Sequence, residues 1–169
     1  MIFIAPGGIR LHYRKMAGRL ILSKLHHQNM KKYWIIVASE DHVMRGVSLG
    51  IAQAGHGKRS GLARMHKGDM MVYYSPKARL EGSEALHAFT AIGEIADDAI
   101  FQVEETRDFK PFRRKVHYVK TGEVRIEPLV QDLTFIRNKK SWGYAFRYGL
   151  LQIQEDDFDR IREKFPADL

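Results

Sequence analysis

Tyr33-Trp34-Ile35-Ile36-Val37-Ala38-Ser39 opens, and Met71-Val72-Tyr73-Tyr74-Ser75-Pro76 closes, the stretch on which the reading of this chain turns. Both ends are apolar, aromatic and β-branched, the composition of core strands, and Pro76 is expected to stop the second. Between them runs Gly50-Ile51-Ala52-Gln53-Ala54-Gly55-His56-Gly57-Lys58, which carries an amide, an imidazole and an ammonium within six positions. Polar groups on a loop held between rigid strands are the usual makings of a pocket. The loop is therefore the expected functional centre.

Outward from this stretch, Ser39 can cap a helix whose first turn holds Glu40 and Asp41, as the helix dipole favours, and Gly50 can end it. Leu62 and Met65 suggest a short helical turn closed by Lys67-Gly68-Asp69. Leu86 to Glu105 reads as one long strand interrupted by a glycine bulge at Gly93, or as two short ones. Phe112 to Lys120 reads as a basic strand, with Thr121-Gly122-Glu123 as a turn into Val124-Arg125-Ile126. Short helical turns are expected at Leu129–Leu133 and Trp142–Arg147, and a strand at Leu150–Gln154. A closing helix from Glu155 to about Lys164 puts Phe158, Ile161 and Phe165 on one face. Irregularly spaced strands with interleaved helical turns predict an α+β fold, a small mixed barrel with helices packed around it.

A chain of 169 residues with 44% hydrophobic and 28% charged residues can bury a core of its own. The absence of cysteine excludes disulfides, thiolate zinc sites and cysteine nucleophiles. Cytoplasmic location is the expectation, and no apolar run approaches a membrane span. The net charge is +8, but residues 1–29 hold five basic residues and no acidic one. The remainder carries 23 basic against 20 acidic residues, so a nucleic-acid partner must be argued from a local patch. Residues 1–29 are read as an upstream-start extension outside the fold, with Met30-Lys31-Lys32-Tyr33-Trp34 opening a domain at 30–169.

Gly55-His56-Gly57-Lys58 fails as a phosphate loop, because Ala52 stands where a glycine is needed and Arg59 where a metal-binding hydroxyl belongs. None of the eight histidines makes a compact ligand pair, so no metal site and no cofactor are expected. Aromatic residues beside basic ones are more informative. Trp34, Tyr73, Tyr74 and Trp142 offer flat faces, and Arg113-Arg114-Lys115 lies on a predicted strand, a pairing suited to splayed bases and phosphates. The alternative is that both tryptophans are core and the basic strand is a solvated face. Phosphate contacts are assigned to Lys58, Arg113, Arg114 and Lys115, with Arg59 and Arg64 as further candidates.

Tyr33-Trp34-Ile35 with Ser39, Gly46-Val47, Gln53, His56-Gly57-Lys58, Lys67-Gly68-Asp69, Tyr73-Tyr74-Ser75-Pro76 and Gly93-Glu94-Ile95 resemble, in this order, the EVE domain of the PUA-like superfamily. Pro111-Phe112-Arg113-Arg114, Phe135-Ile136, Arg147-x-Gly149 and Asp157-Phe158-x-x-Ile161 continue the match over about residues 31 to 165. The resemblance implies an open β-barrel ringed by short helices, related to the YTH and ASCH domains. It further implies a non-enzymatic reader that accepts one flipped base, a modified cytosine in DNA or a modified base in RNA. Carried over by position, its pocket draws on Trp34, Ser39, Gln53, His56, Gly57, Lys58, Tyr74, Ser75 and Pro76, with Trp142 in the wall or in the core. The competing expectation is a small-molecule or nucleotide-processing enzyme using His56 and Lys58 near the Ser39 hydroxyl. It lacks a carboxylate in the loop to orient the imidazole.

Overall fold

Strand β1, Tyr33–Val37, lies at the heart of the fold, as its aromatic and β-branched run dictates. A computed structural model describes residues 30–167, so the expectation about residues 1–29 falls outside the described residues. Helix α1, Glu40–Leu49, follows from Ser39, which takes the extended N-cap conformation, and it ends at Gly50. Gly50 sits at φ 64°, and its N–H bonds the carbonyls of Gly46 and Val47, the helix stop that glycine permits. Strand β2 is Ile51–Ala52. A 3-10 turn at Gly55–Gly57 and helix α2, Arg59–Leu62, complete the connection to strand β3, Met70–Lys77. Strands β4 (Ala85–Ile95), β5 (Phe101–Gln102) and β6 (Phe112–Arg125) come next. Two further 3-10 turns, Glu127–Leu129 and Trp142–Phe146, lead to β7, Leu150–Ile153, and helix α3, Glu155–Arg162.

The strand order is β2-β6-β4-β3-β1-β7, with β5 alongside β6. Among the described residues only β1 and β3 pair in parallel; α1, β2 and α2 make the crossover between them. Alternation along β1 and β3 sorts their side chains onto two faces. Trp34, Ile36, Met71 and Tyr73 enter one apolar cluster, with Val43 of α1 and Leu62 of α2. Ile35, Val72 and Tyr74 enter the other, with Phe158 and Ile161 of α3. The sheet curls so that residues from its two ends enter one apolar cluster. Leu150 of β7 shares the first cluster with Ala52 and Ala54, and Gly61 of α2 wedges between them. A Cβ on Gly61 would stand 3.2 Å from Leu150 and 3.8 Å from Ala54. The result is the PUA-like open barrel with short helices around it.

Two local expectations are corrected, and a third is resolved between its alternatives. Strand β3 does not stop at Pro76 but runs to Lys77, because a register shift between Ser75 and Lys77 leaves the proline outside the pairing. Thr121-Gly122-Glu123 is no turn: β6 is continuous across it, since β4 pairs with β6 from Ala88↔Arg125 to Ile95↔Val116. Leu86 to Glu105 forms two strands, and Gly93 lies inside the first. A Cβ there would stand 2.4 Å from Val116, so glycine serves close approach between strands, next to the register shift at Ile92/Gly93. Downstream, the buried Asp157 of α3 accepts from Thr134 N–H at 2.8 Å and Thr134 Oγ1 at 2.6 Å. It also accepts from Phe135 N–H at 3.2 Å, tying the segment before the last 3-10 turn to the helix.

Candidate functional site

The loop Gln53–Lys58 is pinned at one end of the barrel. Ala54 is buried in the core. Gly55, His56 and Gly57 take φ of 55°, 57° and 79°, three left-handed residues in succession. Glycine adopts this region freely, but a histidine held there stores strain, and such residues mark functional segments. Gly57 is also a matter of space, because a Cβ there would stand 2.6 Å from Pro111 Cβ. Between these anchors His56 and Lys58 are exposed. The loop is thus held rigidly while it projects an imidazole and an ammonium into solvent.

Gln53 is fixed from two sides. The Tyr73 hydroxyl accepts from its N–H and donates to its carbonyl, both at 3.3 Å, and burial pushes the Tyr73 phenol up to about 12. The Gln53 Oε1 accepts from Arg113 Nε at 3.3 Å. The Arg113 guanidinium also pairs with Glu105, which Arg45 of α1 engages from outside. Gln53, Tyr73, Arg113 and Arg45 line a shallow cleft with His42, Gly46, Leu49 and Ile51. Burial holds the His42 imidazole below its ordinary pKa, with Glu105 opposing the shift. Tyr118 donates to the Ile51 carbonyl at 2.9 Å.

The other expected site residues divide between the two faces of the sheet. Trp34 is 1% exposed. Its indole N–H donates to Asp69 at 2.9 Å, and the Arg64 guanidinium covers its ring at 5.0 Å from the centroid. Tyr74 lies on the opposite face, stacked on Phe146 at 3.8 Å and met edge-on by Trp142 at 6.5 Å. Alternation therefore forbids Trp34 and Tyr74 from walling one pocket. Trp142 is half-buried against the core, and His87 meets its ring edge-on at 5.1 Å. Ser75 is fully buried and shares a 2.8 Å hydrogen bond with Thr90. Ser39 stands just beyond the carboxyl end of β1 and Pro76 within the last residues of β3, where Ala38 N–H bonds the Tyr74 carbonyl at 3.2 Å. The buried Ser39 hydroxyl makes no bond of good geometry, though it lies near enough to the Asp41 carboxyl to draw its pKa down.

The basic strand is corrected. Arg113 and Arg114, expected on phosphates, are 7% and 2% exposed. Arg113 spends its guanidinium on Glu105 and Gln53. Arg114 donates to the carbonyls of Asp97 (3.4 Å) and Asp98 (2.9 Å), and burial lowers its pKa. Consecutive on β6, they point to opposite faces, and each is covered by its own partners: Arg113, opposite Phe101 of β5, by Glu105 and Gln53, and Arg114, opposite Ala52 of β2, by the Asp97–Asp98 segment. Lys115, the next residue, is exposed, with its ammonium 3.9 Å from Asp97. Lys58, Arg59 and Arg64 are exposed as well.

Sequence reasoning missed His42 and Arg45 in the cleft, and Glu105, which pairs with its two arginines. The first two lie three apart on α1 and so share a face, a legible signal, whereas Glu105 arrives from beyond β5 with no local mark. Among the described residues no group of three or more His, Asp or Glu is placed to hold a metal ion, and no helix is long and apolar enough to cross a membrane.

A family model described as EVE domain matches residues 32–164. A UPF0310 protein of Mycolicibacterium gilvum is 47% identical over 136 residues, covering 80% of this chain and 96% of its own length. Another UPF0310 protein, from Bacillus licheniformis, is 44% identical over 133 residues, covering 79% and 90%. Among solved structures, the YTH domain-containing protein mmi1 in complex with RNA superposes with a TM-score of 0.53 at 10% identity, covering 79% of this chain and 80% of that one. A hypothetical protein from Leishmania major gives 0.51 at 9% identity, covering 79% and 94%. At these identities the likeness to solved structures is one of fold.

Proposed function

The chain belongs to the EVE-domain family, and on that premise we propose that it is a non-enzymatic nucleic-acid-binding module. Its pocket would read one modified base flipped from its strand, a modified cytosine in DNA or a modified base in RNA. The cytoplasmic location expected from the sequence is part of this reading. The observation that carries it is the Gln53–Lys58 loop, in which a strained, rigidly anchored backbone presents polar groups of both polarities. The Gln53 amide donates and accepts, the His56 imidazole does either by tautomer, and Lys58 donates. A flipped base has a polar edge to be matched in this way and a face to be covered. Phe109 is 39% exposed and lies beside the loop, its Cζ 3.5 Å from where a Gly57 Cβ would stand. It offers the loop an accessible aromatic face. The fold shared with a protein solved in complex with RNA supports the same class of partner.

A hydrolytic or acid–base role for His56 and Lys58 asks for a group that orients the imidazole. Among the described residues no carboxylate bonds to His56, which favours binding over catalysis.

The test is His56→Ala, checked to be folded by its melting curve and titrated with matched modified and unmodified oligonucleotides of DNA and of RNA. The expected loss is roughly 1–3 kcal/mol for a base edge left buried and unpaired, with erosion of the preference for the modified base. Wild-type affinity together with a wild-type preference would remove the loop from the reading site.

A further inference from the structure

The last 3-10 turn presents a second feature that the pocket does not use. Tyr144 and Tyr148 are 62% and 71% exposed, large aromatic rings left in solvent. Between them lies Arg147, its guanidinium carbon 4.0 Å from the Tyr144 ring centroid and 4.4 Å from that of Tyr148. The guanidinium also donates to both phenol oxygens, and among the described residues no carboxylate pairs with it. The arrangement follows from local geometry, since residues three apart eclipse in a 3-10 turn and Tyr144 meets Arg147. The inward side of the same turn holds it in place: Phe146 stacks on Tyr74 at 3.8 Å, and Trp142 meets Tyr74 edge-on. The Gly149 carbonyl accepts from Val37 N–H at 2.8 Å, fixing the cluster beside the end of β1 and Ser39. Three flat groups are therefore pre-ordered at the surface, which spares a ligand the cost of ordering them.

Charge points to the kind of ligand. No Asp or Glu occurs from residue 133 to 154, while Arg137, Lys139, Lys140 and Arg147 do. Lys139 is spent on the carbonyls of Val130 and Leu133, at 2.9 and 2.7 Å. Arg137 and Lys140 remain exposed, seven and four positions before Tyr144. Building on the reading of this chain as a nucleic-acid binder, we infer that Tyr144, Arg147 and Tyr148 form a stacking platform for unpaired nucleotides flanking the base in the pocket, with Arg137 and Lys140 on their phosphates. Bases stack on aromatic and guanidinium planes whatever their identity, and cations beside such planes follow the backbone. A duplex keeps its base faces stacked on one another, so the platform selects single strands. It also supplies the phosphate track that the buried Arg113 and Arg114 do not.

The experiment is fluorescence anisotropy with short labelled single strands of RNA and DNA, the same sequences as duplexes, and single strands with and without the modified base, at several salt concentrations. Tyr144→Ala/Tyr148→Ala is expected to weaken single-strand binding roughly tenfold or more, equally for modified and plain strands. Tyr144→Phe/Tyr148→Phe keeps the rings and should keep the affinity. Arg137→Ala/Lys140→Ala should lower the salt slope by about 0.7 for each phosphate no longer neutralised. Because the two tyrosines are exposed, an unchanged melting temperature is expected to accompany the weaker binding. Single-strand affinity at the wild-type level in the double alanine variant overturns the platform while leaving the pocket reading intact. So does an equal weakening on duplexes. A platform effect without any preference for the modified base overturns the pocket reading alone. A wild-type protein that binds none of these strands overturns both.

Discussion

The Trp34 indole N–H donates to the Asp69 carboxylate at 2.9 Å, and this bond makes Trp34 part of the barrel interior, with no ring face left for a ligand. Asp69, itself buried, also accepts from the Lys32 N–H at 3.0 Å and the His66 N–H at 2.9 Å. One carboxylate thus gathers the start of β1 and the turn before β3 around the tryptophan. Asp69→Ala leaves three donors without their acceptor and is expected to cost roughly 2–4 kcal/mol. Trp34→Ala should cost about 3–5 kcal/mol through the cavity it leaves. Urea denaturation measures both. A loss under about 1 kcal/mol for Asp69→Ala would mean that water replaces the carboxylate and that the bond is incidental.

Much of this was written in the sequence, and the remainder fails for identifiable reasons. β1, α1 from Ser39 to Gly50, β7 and α3 are announced by local signals, because period, cap and glycine stop agree. Thr121-Gly122-Glu123 has the composition of a turn, but pairing with β4 overrides it, and no local rule reports a partner strand. The burial of Arg113 and Arg114 is hidden for the same reason: their acceptors are Gln53, Glu105 and the carbonyls of Asp97 and Asp98, 8 to 60 residues earlier. Nor does the sequence separate the faces of Trp34 and Tyr74. The register Val37↔Tyr74 between their parallel strands sets which side each takes, and that register is tertiary.

The two loop glycines are expected to part company on substitution. Gly55→Ala faces open space at φ 55° and should cost about 1 kcal/mol of backbone strain. Gly57→Ala adds a Cβ 2.6 Å from Pro111 at φ 79°, so strain and clash combine to roughly 2–4 kcal/mol. Thermal melting separates them, and equal shifts would show that the loop swings away from Pro111 at little cost.

His42 should make the domain acid-sensitive in a defined window. Its folded pKa lies below the ordinary 6.5 because burial disfavours the imidazolium, while Glu105 and Asp41 pull the other way and Arg45 and Arg113 reinforce the shift. The unfolded chain therefore binds the proton first as pH falls. The contribution to stability is complete above about 6.5 and is lost as pH drops through the folded value. Melting curves from neutral pH down to about 5 should fall more steeply for the wild type than for His42→Gln. Parallel curves would show that His42 titrates alike in both states.

Removing residues 1–29 is expected to leave the melting temperature and oligonucleotide binding unchanged, since the composition changes at Met30 and the family match begins at residue 32. A fall of about 4 °C or more, the mark of about 1 kcal/mol or more in a domain of this size, would mean that the segment packs on the barrel.

Arg113 tests whether the cleft positions the loop. Its guanidinium holds Gln53 Oε1 through Nε and Glu105 through a terminal nitrogen, a bridge that needs the planar fork of arginine. Arg113→Ala leaves Glu105, which is 16% exposed, with only the solvent-facing Arg45. The expected loss of stability is about 2–3 kcal/mol, less than for a fully buried pair. Arg113→Lys keeps the charge but not the second bond, and should fall between. Binding should respond differently from that of a phosphate ligand. With its oxygen released, the Gln53 amide can rotate, so discrimination between modified and plain bases should erode while the salt dependence stays at the wild-type slope. Lys58→Ala, which removes an exposed cation, should instead flatten the slope by about 0.7–0.9 and leave discrimination in place. If Arg113→Ala flattened the slope as much as Lys58→Ala, the guanidinium would have to leave Glu105 and reach the backbone of the bound strand. Its place in the cleft would then describe only the unbound protein.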